Sequence, residues 1–282
     1  MLAATRNAHQ HGGDGGAVVS AQISRHRRGR LEGRIVLVTG ATSGIGRAIA
    51  LAAAAEGADI AITYRDRQDH ARAVAENISV LGRRCELFRF DLRDEASIGA
   101  LVSGISSAFD HLDAWINNAG ADILTGAGVA KSPVEKLDEL LLADLRGTIL
   151  TSWAASRLLK QQPGGGVIVN MSWDHALSGM PGTNPEIFSA VKGGILSFSK
   201  SLARSVAPTV RVNVLAPGWI ATAFADELKR EQAERYREVA ASTPLRRWGT
   251  PEDVAQAAVF LASPDAAFLT GQVLLVNGGV VM

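Results

Sequence analysis

The stretch from Arg34 to Ala55 constrains everything else in the chain. An apolar run, Ile35-Val36-Leu37-Val38, meets a glycine turn, Thr39-Gly40-Ala41-Thr42-Ser43-Gly44-Ile45-Gly46, and an alanine-rich helical pattern comes next. This is a strand, a loop and a helix. A strand ending in small residues lets backbone amides approach an anion, and the helix after it aims its positive N-terminus at the same place. A pyrophosphate belongs there. Gly40 and Gly44 suit a turn that needs unusual dihedrals and bare backbone, and Gly46 lets the helix pack closely on the strand. Gly40, Thr42, Ser43, Gly44, Ile45 and Gly46 are therefore the first candidates for cofactor contact. A glycine trio alone reads equally well as an ordinary turn, so the weight falls on the strand ends further along the chain.

From Arg34 onward, short apolar runs alternate with longer helical patterns. Strands are expected at Ile35 to Val38, Asp59 to Thr63, Cys85 to Phe90, Ala114 to Ile116, Val167 to Met171, Arg211 to Leu215 and Val273 to Val276. The first helix is expected from Gly44 to Glu56, with Gly57 as its stop. Alternation of this kind implies an α/β fold, a doubly wound parallel sheet with helices on both faces. Residues 31–282 form that single domain, and the 47% hydrophobic content supplies its core. Residues 1–30 have no hydrophobic periodicity and are expected to be a disordered tail, with a solvated His9/His11 patch and a basic cluster ending at Arg30.

Composition removes several classes of function. A formal charge of +1 with mixed acids and bases argues against a nucleic-acid partner or an anionic membrane surface. No apolar run approaches the roughly 18 residues that span a bilayer, and no leader is evident near Met1, so a cytoplasmic protein is expected. The single Cys85 allows neither a disulfide framework nor a thiolate metal site, and no metal is expected.

The strand ends carry the remaining signals. In dinucleotide folds the end of the second strand meets the adenosine ribose, where an acid favours a free 2′-hydroxyl and an arginine a 2′-phosphate. Arg65 comes first in Tyr64-Arg65-Asp66, which points to NADP(H), while Asp66 leaves NAD open. In Phe90-Asp91-Leu92, Asp91 is placed to accept from an adenine amine or to cap the next helix, with Asp94 a competing cap. In Asn117-Asn118-Ala119-Gly120, small and amide side chains can tie strand ends together and leave room for a ribose.

Taken together, Thr39 to Gly46, Asp91, Asn117 to Gly120, Lys192 and Ala216-Pro217-Gly218 resemble the short-chain dehydrogenase/reductase family, in order and spacing. The resemblance covers about residues 31–282. It implies a Rossmann-type domain, NAD(P)(H), hydride exchange between an alcohol and a carbonyl compound, and a homodimer or homotetramer. It also implies cofactor contacts from Leu92, Asn118, Ala119, Gly120, Lys192, Pro217, Gly218, Ile220 and Thr222.

The catalytic core departs from the family pattern. The family places a tyrosine four residues before its lysine, on one helix face, where this chain has Phe188-Ser189-Ala190-Val191-Lys192. Only Tyr64 and Tyr236 exist in the sequence, the first at the adenosine end and the second in a stretch resembling the family's substrate lid. The family serine falls near Ser172-Trp173-Asp174-His175, and the active-site asparagine corresponds to Asp144. Lys192 is expected to bind the nicotinamide ribose and to pair with Asp144. Ser172, Asp174 and His175 complete the catalytic candidates, His175 because an imidazole shuttles protons near neutrality; the Asp-His pair also reads as a simple turn. Trp173, Met180, Phe188 and Trp219 are expected beside the nicotinamide, where they suit an apolar carbonyl or alcohol. A catalytically silent dinucleotide-binding protein is the alternative.

Overall fold

The computed structural model describes residues 29–282. The His9/His11 patch and most of the expected tail lie outside the described residues. Arg30, the last residue of that expected tail, is bound to Glu56 (2.8 Å) and Gln256 (2.7 Å).

Seven strands, β1 (Ile35–Val38), β2 (Asp59–Tyr64), β3 (Cys85–Arg89), β4 (Ala114–Asn117), β5 (Gly166–Met171), β6 (Val210–Pro217) and β7 (Val273–Val276), form one sheet. Their order is β3-β2-β1-β4-β5-β6-β7, and every pairing is parallel. β1 and β4 are buried along their whole length, as expected of continuous apolar strands covered on both faces. β6 runs two residues past the expected Leu215 because Ala216 and Pro217 pair with Leu275 and Val276. The strand order reverses between β1 and β4, and the crevice at their carboxyl ends is where a ligand binds in such a sheet.

The helices are α1 (Gly44–Ala55), α2 (Gln68–Val80), α3 (Glu95–Ala108), α4 (Pro133–Leu140), α5 (Thr148–Lys160), α6 (Thr183–Val206), α7 (Ala223–Glu231), α8 (Ala233–Ser242) and α9 (Pro251–Ala262). On one face of the sheet, small residues of α1 (Ala50, Ala53, Ala54) and α9 (Ala255, Ala258) share one core. The other face carries α3, α5 and α6 around Leu101, Ile105, Leu159 and Leu202. Asp94 caps α3 by accepting from Ala96 N (3.0 Å), which settles its competition with Asp91. Among the described residues no helix is long and apolar enough to cross a membrane.

A buried polar network ties the strand ends together. Asn117 donates to Asn170 (2.8 Å) and Ser152 (3.1 Å) and accepts from Trp115 Nε1 (2.8 Å); Asn170 in turn donates to Ser199 (2.9 Å). Every member has a partner, which is the condition for such a network to specify one arrangement of strands and helices. Between α4 and α5 the chain widens into a π-helical segment, Leu141–Gly147, a distortion common at functional sites.

Candidate active site

The glycine loop opens a cleft of about 740 Å³ at the carboxyl ends of β1, β2 and β4. Gly40 and Gly44 have φ of 65° and 52°, so the turn requires the left-handed conformations that favour glycine. A Cβ on Gly46 would lie 2.4 Å from Asn118 Nδ2 and from Gly40 O; its absence lets α1 sit close to the loop and to β4. The amides of Gly44, Ile45 and Gly46 precede the first helical hydrogen bond, from Arg47 N to Ser43 O (3.2 Å). Ser43 gives them no side-chain cap, and the first turn carries no acid. These donors are left for an anion. Asn118 fixes the opposite lip through Nδ2 to Thr39 O (2.9 Å), while Thr39 Oγ1 accepts from the amides of Asn118 (2.9 Å) and Ala119 (3.0 Å).

Thr42, Ser43, Arg65, Asp91, Leu92, Ala119 and Gly120 also line this cleft. Arg65 is paired with Asp66 (2.6 Å) and half-exposed. Asp91 is gripped by the Arg93 guanidinium at 2.9 and 2.6 Å, which holds its carboxyl down at about 2 and keeps it an acceptor.

A second cavity, of about 480 Å³, continues from the first and shares Ile45, Asn118 and Thr222 with it. Trp173, Met180, Phe188 and Trp219, all expected here, line it, together with Ser172, Lys192, Pro217, Gly218 and Ile220. Phe188 and Lys192 lie one turn apart on α6. The Lys192 ammonium is 2.7 Å from Asp144 Oδ2. Asp144 reaches it from the π-helical segment and also accepts from Ala121 N (2.7 Å). Gly120 makes room for this carboxylate, since a Cβ there would meet it at 3.0 Å.

Ser172 is buried and donates its hydroxyl to Lys192 O (2.9 Å). Asp174 is fully buried; it accepts from His175 N (2.8 Å) and Asn277 Nδ2 (3.2 Å) and bonds the His175 ring at Nδ1 (2.7 Å). The imidazole stacks on Trp173 with centroids 4.9 Å apart, so it lies against a ring of the wall, while neither Asp174 nor His175 itself lines the cavity. Tyr236 stacks on Trp248 (4.9 Å) and is likewise off the wall.

Comparison with known proteins matches this arrangement. Residues 40–281 fit the family model described as enoyl-(acyl carrier protein) reductase. A 3-oxoacyl-[acyl-carrier-protein] reductase of Aquifex aeolicus is 37% identical over 255 residues, 89% of this chain and 98% of that protein. An L-rhamnose 1-dehydrogenase (NAD(P)(+)) of a Sphingomonas species is 36% identical over 252 residues, 89% and 97% of the two chains. A short-chain dehydrogenase from Burkholderia cenocepacia, crystallised with NADP, superposes with a TM-score of 0.78 at 31% identity, covering 89% of this chain and 99% of that one. The chain belongs to the short-chain dehydrogenase/reductase family. It is a nicotinamide-dependent oxidoreductase.

A short-chain dehydrogenase/reductase needs a track for its dinucleotide, and the residues present fit one. The uncapped amides of α1 suit the diphosphate, the Arg65 end of β2 the adenosine ribose, and the wall around Ile45, Asn118 and Thr222 leads on to Lys192. Several lining residues have no counterpart among the sequence-based candidates: Arg93 and Lys131 in the first cleft, and Phe224, Leu228, Gln232, Arg235 and Trp248 in the second. Phe224 and Leu228 lie one turn apart on α7, a spacing readable in the sequence, whereas Gln232 and Arg235 are polar, and Gln232 is the break that separates α7 from α8. Trp248 carries no local signal; it arrives through the contact of the segment before α9 with α8, where its Nε1 donates to Tyr236 O (3.0 Å).

Proposed function

We propose that the protein exchanges a hydride between NADP(H) and an apolar alcohol or carbonyl compound, and that Lys192 with Asp144 handles the proton that the family passes through a tyrosine. The observation that carries this reading is the 2.7 Å pair of Lys192 with Asp144, almost wholly buried at a wall where Phe188 contributes a ring without a hydroxyl. The dinucleotide, when bound, supplies or takes up the hydride at its nicotinamide. The protein's own residues do the rest. Loop amides hold the diphosphate, and aromatic side chains exclude water from the reacting carbonyl. The Lys192 ammonium gives its proton to the carbonyl oxygen as it becomes a hydroxyl, directly or through one water, and Asp144 holds that nitrogen in place. Ser172, bound to the Lys192 carbonyl, supports the helix, and Asp174 with His175 seats Trp173.

NADP(H) is preferred over NAD(H) on this reading because Arg65 and Arg67 line the adenosine end of the cleft, where a 2′-phosphate meets positive charge. The protein works in the cytoplasm as a homodimer or homotetramer. Support for assembly comes from the exposed Val134, Leu141, Leu142 and Trp153 along α4 to α5 and from the exposed C-terminal Met282. Sedimentation at micromolar concentration checks it, and a monomer throughout would end it.

The direct trial of the chemistry is single-turnover transfer of deuterium from labelled NADPH across a panel of ketones. Lys192→Met and Asp144→Asn are expected to lose about 10²-fold or more of the rate, the usual worth of a general acid, with NADPH still bound. His175→Ala is expected to stay within a few-fold. Loss confined to Asp174→Ala and His175→Ala would move the acid to that pair. Binding without transfer under all conditions would make the protein a silent dinucleotide binder.

A further inference from the structure

The second cavity has a composition that the reaction alone does not demand. Three of the chain's five tryptophans, Trp173, Trp219 and Trp248, line it with Phe188 and Phe224. Trp219 is the hub: its ring stacks with Phe224 (6.2 Å, 22°) and meets Trp248 edge-on (5.7 Å, 69°), while Trp173 meets Phe188 edge-on (6.0 Å, 66°). Stacked and edge-to-face pairs of this kind are the geometries that a further planar ring joins with gain. The indole N–H groups of Trp173 and Trp219 make no hydrogen bond with the described residues, in contrast to that of Trp248, which is taken by Tyr236 O.

At the rim stands one cation without a partner among the described residues. Arg235 on α8 lines the cavity, is exposed and makes no ion pair or hydrogen bond with those residues. Glu231, one turn earlier, is already paired with Arg230 (3.1 Å). The other cation on the wall, Lys192, is neutralised by Asp144. Arg235 is held at the rim because its neighbour Tyr236 lies flat on Trp248 (4.9 Å, 10°), which pins the exposed α8 to the wall. A polyhydroxylated substrate would find few partners for its hydroxyls among these rings, at a cost for each hydroxyl left unpaired. An aryl group would stack, and an anionic substituent on it would meet a guanidinium.

We propose that the substrate is an aryl ketone, or the corresponding secondary alcohol, that bears a carboxylate or another anion, with Arg235 as the specificity-determining residue for the charge. This rests on the oxidoreductase reading of the cavity and narrows its substrate class: the reacting end stays apolar against the aromatic wall, and the charge sits only at the rim beside Arg235. The test titrates the full chain, saturated with NADP⁺, by tryptophan fluorescence with 4-acetylbenzoate, its methyl ester, acetophenone and cyclohexyl methyl ketone. The acid is expected to bind about tenfold or more tighter than its ester, the worth of a charge-assisted hydrogen bond at a half-open site. Acetophenone is expected to bind about threefold to tenfold tighter than its saturated analogue. Arg235→Met is expected to erase the acid–ester difference and leave the ester's affinity unchanged. Equal binding of acid and ester, a difference that survives Arg235→Met, or no preference for the aryl ring would overturn the proposal. Reduction of these ketones by NADPH at rates indifferent to charge would sink it while leaving the redox reading intact; Arg235-dependent binding without reduction by NADPH would overturn their assignment as substrates, and the labelled-hydride panel above tests the redox reading separately.

Discussion

Phe188 and Lys192 face one cavity from successive turns of α6, so a hydroxyl added to the ring enters a site that already holds an ammonium. Phe188→Tyr is expected to raise the single-turnover rate by no more than about tenfold, because on this reading Lys192 already supplies the proton; a rise of about 10²-fold or more would mean that Lys192 does not serve as the acid. Ser172→Ala is expected to change that rate less than about threefold and to cost about 1 kcal/mol in urea denaturation, because its hydroxyl serves Lys192 O. Asp144→Ala strands a buried ammonium and is expected to cost about 3–5 kcal/mol, with Lys192→Met recovering part of the loss in the double variant. The Lys192–Asp144 pair was legible from sequence through the family pattern. The reach of Asp174 to Asn277 was not, since 103 residues separate partners that only the sheet brings together.

At the scale of elements, the loop and α1 act as one unit whose closeness is set by Gly46. Gly46→Ala places a methyl 2.4 Å from Asn118 Nδ2 and Gly40 O, and is expected to weaken NADPH binding by more than about tenfold and to cost roughly 1–3 kcal/mol of stability. Unchanged affinity by calorimetry would separate the loop from cofactor binding. The central strands β1 and β4 were readable because a parallel strand covered on both faces is a continuous apolar run with turn residues at its ends, whereas the edge strand β3, Cys85-Glu86-Leu87-Phe88-Arg89, mixes charged and apolar residues and was readable only from its place in the β-α alternation. The apolar face of α7, with Ala225 and Leu228 buried, follows helical spacing, but nothing in that spacing marks it as a cavity wall. Periodicity tells which side of a helix is buried and not against what, and α7 and Trp248 meet only through the packed fold.

Across the whole molecule, two carboxylates tie acid stability to surface ion pairs. The Arg93 guanidinium holds Asp91, and the Arg247 guanidinium holds Asp253, at about 2, below the usual 3.8 of an aspartate. A carboxyl lowered on folding contributes stability that is complete above its unfolded value and is lost as pH falls toward its folded one. The urea midpoint is therefore expected to be flat from neutrality to about pH 5 and to fall between about pH 4 and 2, less steeply in the Asp91→Asn/Asp253→Asn variant. An unchanged slope in that variant would place the acid sensitivity elsewhere. The fold gathers the loop amides, Arg65, Lys192 and the aromatic wall along one crevice at the strand ends, and the proposed function assigns each of them its part through a dinucleotide bound there. Titration calorimetry of the full chain with NADPH and with NADH tests this most directly. One NADPH per chain, bound about tenfold or more tighter than NADH and losing that margin in Arg65→Ala, is the expected result; no heat of binding with either dinucleotide would contradict it.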